Sequence, residues 1–471
     1  MKKIIYIFLA LVLLVSSCST NQKQTNVIDP SNAIETVSDV TKLAGYLNLY
    51  IRSLSTGSSV YYTEIAADLL DPGLNYGNRG GAWWRWEWTS ETEIGIFPTC
   101  YSGIAQAMFV IEGAEALDKT DLTDAELAEL NDALALCYFT KAYLGWKLLQ
   151  YYCDLYTSTY IDPSAEGTGI MVIDKYNPSG DISTYPGRSS LVDSYAWVLD
   201  NLATAKGMLK TTSAVGSPAP TKDACDALHA RIALYMGNNT EAASLASSLV
   251  DGGKYPLAEG DAETKALWVN DSGKECIMMN YCDYPNSLPG SYSYSYINYQ
   301  SSTKLYTPDY MPQKWVVNLY SATDLRKTNW FQSQKVTYGT VSGTVQLFAK
   351  FQGNPALQAA TATSSSYLQK PKPFRIAEQY LIAAEAYALN KAESTAKTYL
   401  KNLQSKRDES YDPAYVDGLS GDALLEEIRK ERTRELIGEG FRFFDLKRYG
   451  QGMTRQGCQS ETLANLSAGS S

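Results

Sequence analysis

Histidine is almost absent from this chain, whose 471 residues include a single one, His229. Metal sites that require two or three histidines, including the H-E-x-x-H zinc motif, are therefore excluded. No G-x-S-x-G nucleophile turn lies near His229, so we interpret it as a packing residue. The G-x-x-x-x-G-K-[ST] phosphate loop is also missing. We therefore expect a protein without a cofactor or a metal.

Positive charge is scarce as well, since 41 Lys and Arg face 51 Asp and Glu and give a net charge of −10. Such a balance disfavours a nucleic-acid partner and favours a neutral or cationic ligand. What the chain does contain is aromatic residues, with 35 Tyr, 9 Trp and 11 Phe. This is a composition suited to recognition surfaces.

The N-terminus has the pattern of a secretion signal. A short basic start is followed by an apolar run, Ile4 to Val15, that is too short to cross a bilayer of about 30 Å. Small residues then precede Cys18, an arrangement that resembles the lipobox of bacterial lipoproteins. We predict a signal peptide over 1–18 with Cys18 as the acylated, palmitate-bearing residue, and a flexible tether over 19–35. An ordinary signal peptide with an incidental cysteine is the alternative.

Apolar residues recur at spacings of three and four over most of the remaining chain, which predicts a mostly α-helical fold. Helical repeats are expected at about 37–280 and 374–450 of a domain spanning 36–450. A loop-rich insertion with short strands is expected at about 281–372, where Tyr, Ser, Pro, Gly and Asn rise. A short divergent or truncated tail is expected at 451–471. We interpret the cysteines after Cys18 as mostly buried small hydrophobes.

Two segments share an arrangement of alanines around a polar turn. Ala230 to Ala242 and Ala384 to Ala396 each place two alanines twelve residues apart, which predicts two helical hairpins. Their spacing resembles the packing of tetratricopeptide repeats, in which small residues let paired helices approach closely. Chance similarity between alanine-rich helices is the alternative.

Residues 431–448 read E-R-x-x-E-L-x-x-E-G-x-R-x-x-D-L-x-R and resemble the C-terminal signature of the SusD/RagB family at all ten fixed positions. Other segments agree with this family in order, among them Glu275 to Ile277, Asp324 to Arg326 and Arg375 to Ala386. Within the signature we expect a structural role. Glu426 and Lys430, and Glu431 and Arg434, are spaced to pair along a helix, and Gly440 permits a turn.

The resemblance implies a SusD-like fold of tetratricopeptide-like units packed against an irregular ligand-binding half. It also implies a lipid-anchored outer-membrane protein at the cell surface that covers a SusC-like, TonB-dependent barrel. Members of this family bind oligosaccharides or, in RagB-like cases, peptides.

The first candidate ligand segment is rich in tryptophan and runs from residue 75 to residue 88. If it is extended, Trp84, Trp86 and Trp88 share one face and Trp83 lies on the other. Flat indole rings can cover the face of a sugar ring while polar groups bind its hydroxyls. From this segment we predict ligand contacts at Asn75, Tyr76, Arg79, Trp83, Trp84 and Trp86. The alternative is that the tryptophans pack in the core.

The second candidate segment, residues 291–299, alternates serine and tyrosine. In an extended conformation it would align Tyr292, Tyr294 and Tyr296 on one side, and we predict that these contact the ligand. A strand whose rings cover the core is the alternative.

We therefore predict a non-enzymatic lipoprotein that captures oligosaccharides and delivers them to a barrel transporter. A RagB-like peptide collector is the main alternative. A cryptic glycoside hydrolase is a further one, because a pair of carboxylates could be hidden among 51. A scaffold that only plugs or gates the barrel would bind no ligand.

Overall fold

The computed structural model describes residues 33–210 and 214–465, and helices dominate these ranges. The mostly α-helical fold class predicted from the sequence is confirmed. Cys18 and the first part of the predicted tether lie outside the described residues. Among the described helices, none combines the length and the apolar character that crossing a membrane requires.

Between residues 33 and 270, the described part of the chain forms ten α-helices of very different lengths. Two of them begin with a capping box. In each, the threonine hydroxyl of Thr36 or Thr123 accepts from the backbone N–H of the third helical residue, and the backbone N–H of the threonine donates to the carboxylate of that residue. The helices are α1 (Val37–Gly45), α2 (Leu47–Ser53), α3 (Ser58–Ala66), α4 (Gly81–Trp84), α5 (Ile96–Ala116), α6 (Asp124–Tyr152), α7 (Leu191–Met208), α8 (Lys222–Tyr235), α9 (Asn239–Asp251) and α10 (Gly260–Val269).

Short helices and strands alternate in the middle of the chain, and longer helices return after it. The helices are α11 (Lys314–Asn318), α12 (Leu325–Trp330), α13 (Ile376–Leu389), α14 (Glu393–Gln404), α15 (Pro413–Asp417), α16 (Gly421–Leu436) and α17 (Arg442–Arg448). The strands are β1 (Leu70–Pro72), β2 (Cys276–Met278), β3 (Tyr299–Gln300), β4 (Leu305–Tyr306), β5 (Tyr310–Pro312), β6 (Phe331–Tyr338), β7 (Val341–Phe348) and β8 (Phe374–Arg375).

The strands form three small sheets. β1 pairs with β5 and β2 with β8, both antiparallel, while a four-stranded sheet has the order β3-β4-β6-β7. Its longest element is the β6–β7 hairpin, registered from Phe331 opposite Phe348 to Tyr338 opposite Val341. The short strands expected in the insertion are therefore present.

The two alanine-rich hairpins, α8–α9 and α13–α14, pack against each other. Alanines of both hairpins lie in one core cluster with Leu400 and Ile428. Their small side chains allow this close helix packing, as the sequence predicted. Two units that are 154 residues apart in the chain therefore become neighbours.

Helices α2 and α3 lie at the boundary between two larger cores. Ile51 and Leu54 belong to the helical core, which also contains Phe139 and Trp146. Tyr61 of α3 belongs instead to an aromatic core. This second core includes Trp84, Trp268, Tyr296, Tyr310, Trp330 and Phe351.

A buried ion-pair network surrounds α16. Glu435 accepts hydrogen bonds from three guanidinium groups, those of Arg375 at 2.9 Å, Arg407 at 3.0 Å and Arg326 at 3.1 Å. Burial alone would raise the pKa of Glu435, but these three cations hold it well below its usual range. Each arginine comes from a different part of the chain.

Neighbouring groups extend this network in both directions. Glu431 accepts from Arg326 at 2.6 Å, and Glu275 accepts from Arg407 at 2.8 Å. Glu439 is shared by Arg375 and Lys350, at 2.6 and 2.7 Å. We refer to Glu275, Arg326, Lys350, Arg375, Arg407, Glu431, Glu435 and Glu439 together as the buried ion-pair network. The expected pairs along α16 are also present, Glu426 with Lys430 and Glu431 with Arg434, each at 2.7 Å.

The turn after α16 attaches this network to α3. Gly438 and Gly440 have φ values of 80° and 82°, a left-handed conformation that favours glycine. Their N–H groups donate to the carboxylate of Glu64 in α3, at 3.1 and 2.7 Å. A Cβ atom at Gly438 would lie 2.6 Å from the ring of Phe351. The turn therefore has room for no side chain at this position.

The C-terminal segment returns to β1. Leu463 is buried, and the backbone of Asn465 donates to Pro72 at 2.8 Å. Leu74 donates in turn to the carbonyl of Leu463 at 3.0 Å. The segment at 451–465, which the sequence marked only as a tail, is thus packed on the rest of the protein.

Replacing Glu435 by Gln should lower the free energy of unfolding by about 3–5 kcal/mol, because it leaves buried guanidinium groups without their counter-charge. Replacing Glu426, an exposed residue of the same helix, by Gln should change it by less than about 1 kcal/mol. Denaturant unfolding of both variants measures the difference.

Equal losses in the two variants would contradict this role of the network. Acid titration gives a second readout. Because the folded pKa of Glu435 lies below its ordinary 4.5, the stability that it contributes is present above that pH and is lost as the pH falls through the folded pKa. The Gln variant should lack this part of the acid transition.

Candidate functional site

Six aromatic rings form a continuous line over α3 and the loop after α4. Successive ring centroids are 6.4, 6.0, 5.6, 5.5 and 5.4 Å apart. In order, the line consists of Tyr294, Tyr292, Tyr62, Trp83, Trp88 and Trp86, and we call it the aromatic row. It joins the two segments that the sequence singled out separately, and Tyr62 is the residue that connects them.

The aromatic row is open to solvent. Tyr294, Trp88 and Trp86 are 40%, 45% and 46% exposed, and the three rings between Tyr294 and Trp88 are half-buried. Contiguous exposed rings of this kind mark a binding surface, because isolated apolar side chains are common on proteins but extended patches are not.

The tryptophan segment is folded, so the extended conformation considered for it, with Trp84, Trp86 and Trp88 on one face, does not occur. Trp83 and Trp84 lie in α4, and Trp86 follows with a left-handed backbone, φ 60°. Such a conformation costs a bulky residue about 1–3 kcal/mol and persists only where the surroundings hold it. Here the indole N–H of Trp86 donates to the carbonyl of Ala66 at 2.8 Å. The ring also stacks on Trp88 and meets Phe443 edge-on.

Three of the predicted contact residues lie in the core. Trp84, Tyr76 and Tyr296 are only 6%, 7% and 4% exposed. The indole N–H of Trp84 donates to Leu70 at 3.0 Å, and the guanidinium of Arg455 lies 4.1 Å from its ring. These rings have no face left for a ligand, which corrects their assignment to the binding surface.

The serine and tyrosine segment also differs from the extended strand that we expected. Ser293–Tyr296 is a single 3₁₀ turn, and the following strand begins only at Tyr299. A turn of three residues sends Tyr296 into the core and leaves Tyr292 and Tyr294 on the surface. Tyr292 is fixed there by stacking on Tyr61 of α3, at 5.0 Å.

Polar groups surround the row near Tyr294. Arg79, half exposed, donates to the buried carboxylate of Asp309 at 2.7 Å. This hydrogen bond raises the pKa of Arg79. The backbone N–H of Asp309 donates to the carbonyl of Ser295 at 2.7 Å, which places the pair beside the Tyr294 end of the row. Asn78 accepts from Arg85 at 2.9 Å. Asn75 is exposed and its carbonyl accepts from Arg79 at 3.4 Å.

The aromatic row offers a ligand ring surfaces and few free hydrogen-bonding groups. The indole N–H groups of Trp83 and Trp86 are bonded to the carbonyls of Thr92 and Ala66. Burial raises the pKa of Tyr62, so its phenol stays neutral at physiological pH. Flat neutral rings beside an arginine and amide groups are suited to a ligand with apolar ring faces and hydroxyls at its edges.

The carboxylates near the row are engaged. Glu87 pairs with Arg85 at 2.8 Å, and Asp309 is held by Arg79. Across residues 33–210 and 214–465, His, Cys, Asp and Glu side chains form no group of three that could hold a metal ion. His229 lies away from the row, 3.2 Å from Glu241.

Two rings of the row and one of its supports were not among the sequence-predicted contacts, namely Tyr62, Trp88 and Phe443. Trp88 belonged to the recognised tryptophan run. Tyr62 had no distinguishing signal among 35 tyrosines, since its role comes from the placement of α3.

Two family models match the chain. Residues 291–466 match the model described as SusD family, and residues 29–234 match the one described as starch-binding associating with outer membrane. A search of curated protein sequences finds no significant match.

Solved structures share the fold over nearly the whole chain. A SusD superfamily protein from Bacteroides thetaiotaomicron is 22% identical, with a TM-score of 0.73, over 91% of this chain and 92% of that one. A SusD-like carbohydrate binding protein from Bacteroides vulgatus is 18% identical, with a TM-score of 0.69, over 90% of this chain and 85% of that one. Surface glycan-binding protein A from Bacteroides fluxus is 17% identical, with a TM-score of 0.65, over 88% of this chain and 89% of that one. At these identities the likeness is one of fold.

Replacing Trp84 by Ala should lower the free energy of unfolding by about 3–5 kcal/mol, because it empties a buried site and removes a hydrogen bond. Replacing Trp88 by Ala should lower it by less than about 1 kcal/mol, because that ring is largely exposed. Denaturant unfolding separates the two, and similar losses would contradict the division between core and row.

Proposed function

The chain belongs to the SusD family, and on this premise we propose that it captures oligosaccharides on the aromatic row without transforming them. The observation that carries the proposal is the line of six rings with three exposed members. Its spacing suits stacking of successive sugar rings, and Arg79 and Asn78 can bind hydroxyls at its Tyr294 end.

A binding role without catalysis is supported by the carboxylates at the row. Glycoside hydrolysis needs one carboxyl group as acid and a second as nucleophile or base. Asp309 is instead held by Arg79, and Glu87 by Arg85. Both carboxylates are therefore engaged by guanidinium groups and are not free to act on a ligand at the rings.

We further propose that Cys18 anchors the protein to the outer membrane, facing outward, and that a SusC-like, TonB-dependent barrel receives the ligand. Support comes from the small residues before Cys18 and from the model described as associating with outer membrane. Covalently attached acyl chains bind a membrane at about 0.8 kcal/mol per buried methylene.

Replacing Trp88 by Ala should weaken binding of the cognate polysaccharide by about 2 kcal/mol or more, roughly 30-fold, since a central aromatic anchor is lost. Affinity electrophoresis in gels containing starch, laminarin and other neutral polysaccharides measures it. Tyr160→Ala is the matched control, because this tyrosine is exposed and lies outside the row. Trp88 is the better target than Trp84, whose loss would disturb folding.

Unchanged mobility of the Trp88 variant in a gel that retards the wild-type protein would remove the row from the site. Calorimetry with peptide pools tests the RagB-like alternative, which the net charge of −10 would favour for basic peptides. Release of reducing ends during long incubation would instead indicate hydrolysis, and binding of no ligand would indicate a scaffold.

Replacing Cys18 by Ala should abolish incorporation of labelled palmitate and release the protein from the membrane fraction. The reason is that acylation needs the thiol at this position. Cys458→Ala is the control, since that cysteine is only partly buried and lies 440 residues after Cys18 in the sequence. Labelling that persists in the Cys18 variant would exclude the proposed anchor.

A further inference from the structure

A cavity of about 80 Å³ lies where the helical core and the aromatic core meet. Its walls include α6, the α2–α3 junction, residues 369–373 and the glycine turn after α16. It reaches Ser291 to Ser293, directly below Tyr292 of the aromatic row. One water needs about 10–15 Å³ of such volume, so the cavity can hold several waters or a small ion. We call it the junction cavity.

Lys147 of α6 lines the junction cavity without a partner. Within the described ranges, no carboxylate lies within 4 Å of its ammonium and no hydrogen bond is formed by it. Its Nζ lies 5.6 Å from the centroid of the Tyr143 ring. The nearby Arg231 differs, because Glu378 binds it with two hydrogen bonds of 2.6 and 2.7 Å. Both carboxylate oxygens of Glu378 therefore already accept hydrogen bonds from Arg231.

Most of the charged side chains that line the junction cavity are positive. It contains four cationic side chains, those of Lys147, Arg231, Lys370 and Lys372, and a single carboxylate, that of Glu439. Glu439 is already shared by two cations of the buried ion-pair network, and Lys372 is bound to Asp271 at 2.6 Å. The lining therefore carries more positive charge than its own carboxylate balances.

An uncharged donor adds to this imbalance. The indole of Trp268 lines the cavity, is buried, and has no partner for its N–H. Oxygen atoms of Gln150 and Gln369 are also unpartnered there, but an amide can rotate to present its NH₂ group instead. The cavity thus combines an unpaired ammonium with unused N–H donors.

We propose that the junction cavity binds a small monovalent anion, of halide or carboxylate size, at the ammonium of Lys147. Lys147 is half-buried, so its ammonium is reached through the cavity, and without a counter-charge there it either loses its proton or acquires an anion. The volume admits a halide or an acetate. The cavity borders the aromatic row only at Tyr292, and the test of anion binding needs no glycan, so its failure would leave the proposed function untouched.

Crystals of the wild-type protein soaked in sodium bromide should show an anomalous peak beside the ammonium of Lys147. The same soak of a Lys147→Met variant should show none, and Lys335→Met, which changes an exposed lysine outside the cavity, should retain it. A cavity without a peak in wild-type crystals at saturating bromide would overturn the proposal.

Thermal unfolding tests the site in solution at constant ionic strength. Chloride, bromide and acetate should each raise the Tm of the wild-type protein relative to gluconate, a much larger anion. If only acetate raises the Tm, the site binds carboxylates. If only the halides raise it, the site binds inorganic anions. The Lys147→Met variant should lose the dependence. Should it fail to fold, Lys147→Gln replaces it.

The pH dependence distinguishes a bound anion from general salt effects. Burial, and next the charge of Arg231, lower the pKa of Lys147 to about 7. Because only the ammonium form attracts an anion, apparent affinity should fall about tenfold for each pH unit above that pKa. An anion effect on Tm that is the same at pH 6 and pH 9, or one that persists in Lys147→Met, would contradict binding at this residue.

Discussion

The fold depends on the burial of charge around α16. Glu435 lies in the interior with three guanidinium groups that come from residues 326, 375 and 407. A buried carboxylate is costly unless all its partners are present, so the ion pairs can form only when these distant segments have assembled together. The Arg231–Glu378 pair joins the two alanine-rich hairpins to each other, and Arg448–Glu385 joins α17 to the second hairpin. One set of charges therefore fixes how the helical units meet the strand-containing part.

The binding surface is a consequence of that assembly. The glycine turn that leaves α16 binds Glu64 of α3, and α3 carries Tyr61 and Tyr62. Tyr61 stacks on Tyr292, and Tyr62 lies against Trp83. A motif at the C-terminal end of the chain thus determines the position of rings whose sequence neighbourhoods are far away. The structural role predicted for this motif agrees with this position, because the turn holds α3 and α3 carries two of the rings.

Much of the architecture could be predicted, for identifiable reasons. Spacing of three and four located the long helices, and the small alanines indicated the hairpins that pack together. Pairs along one helix, such as Glu431 with Arg434, could be read from spacing. Pairs such as Glu435 with Arg375 could not, because charge carries no information about its partner across the chain.

The site was predictable by composition but not by conformation. Runs of tryptophan and tyrosine located two parts of the aromatic row. Alternation suggested extended segments, yet Trp86 adopts a left-handed backbone and residues 293–296 form a 3₁₀ turn. Those local conformations decide which rings enter the core. Tyr62 could be found only from the folded chain, because its importance is a matter of position.

The engaged indole nitrogens have a consequence for selectivity. Trp83 and Trp86 use their N–H groups to hold the protein's own backbone, so towards a guest they present only a plane. If the ligand is a sugar, as proposed, a flat ring distinguishes poorly between sugars that have the same apolar face. Selectivity between ligands then depends on the polar side chains at the edge of the row, such as Arg79 and Asn78. Of these two, Arg79 is tied to the buried carboxylate of Asp309, whereas Asn78 is exposed on a turn, so its exchange would alter the polar edge of the row without leaving a buried charge unpaired.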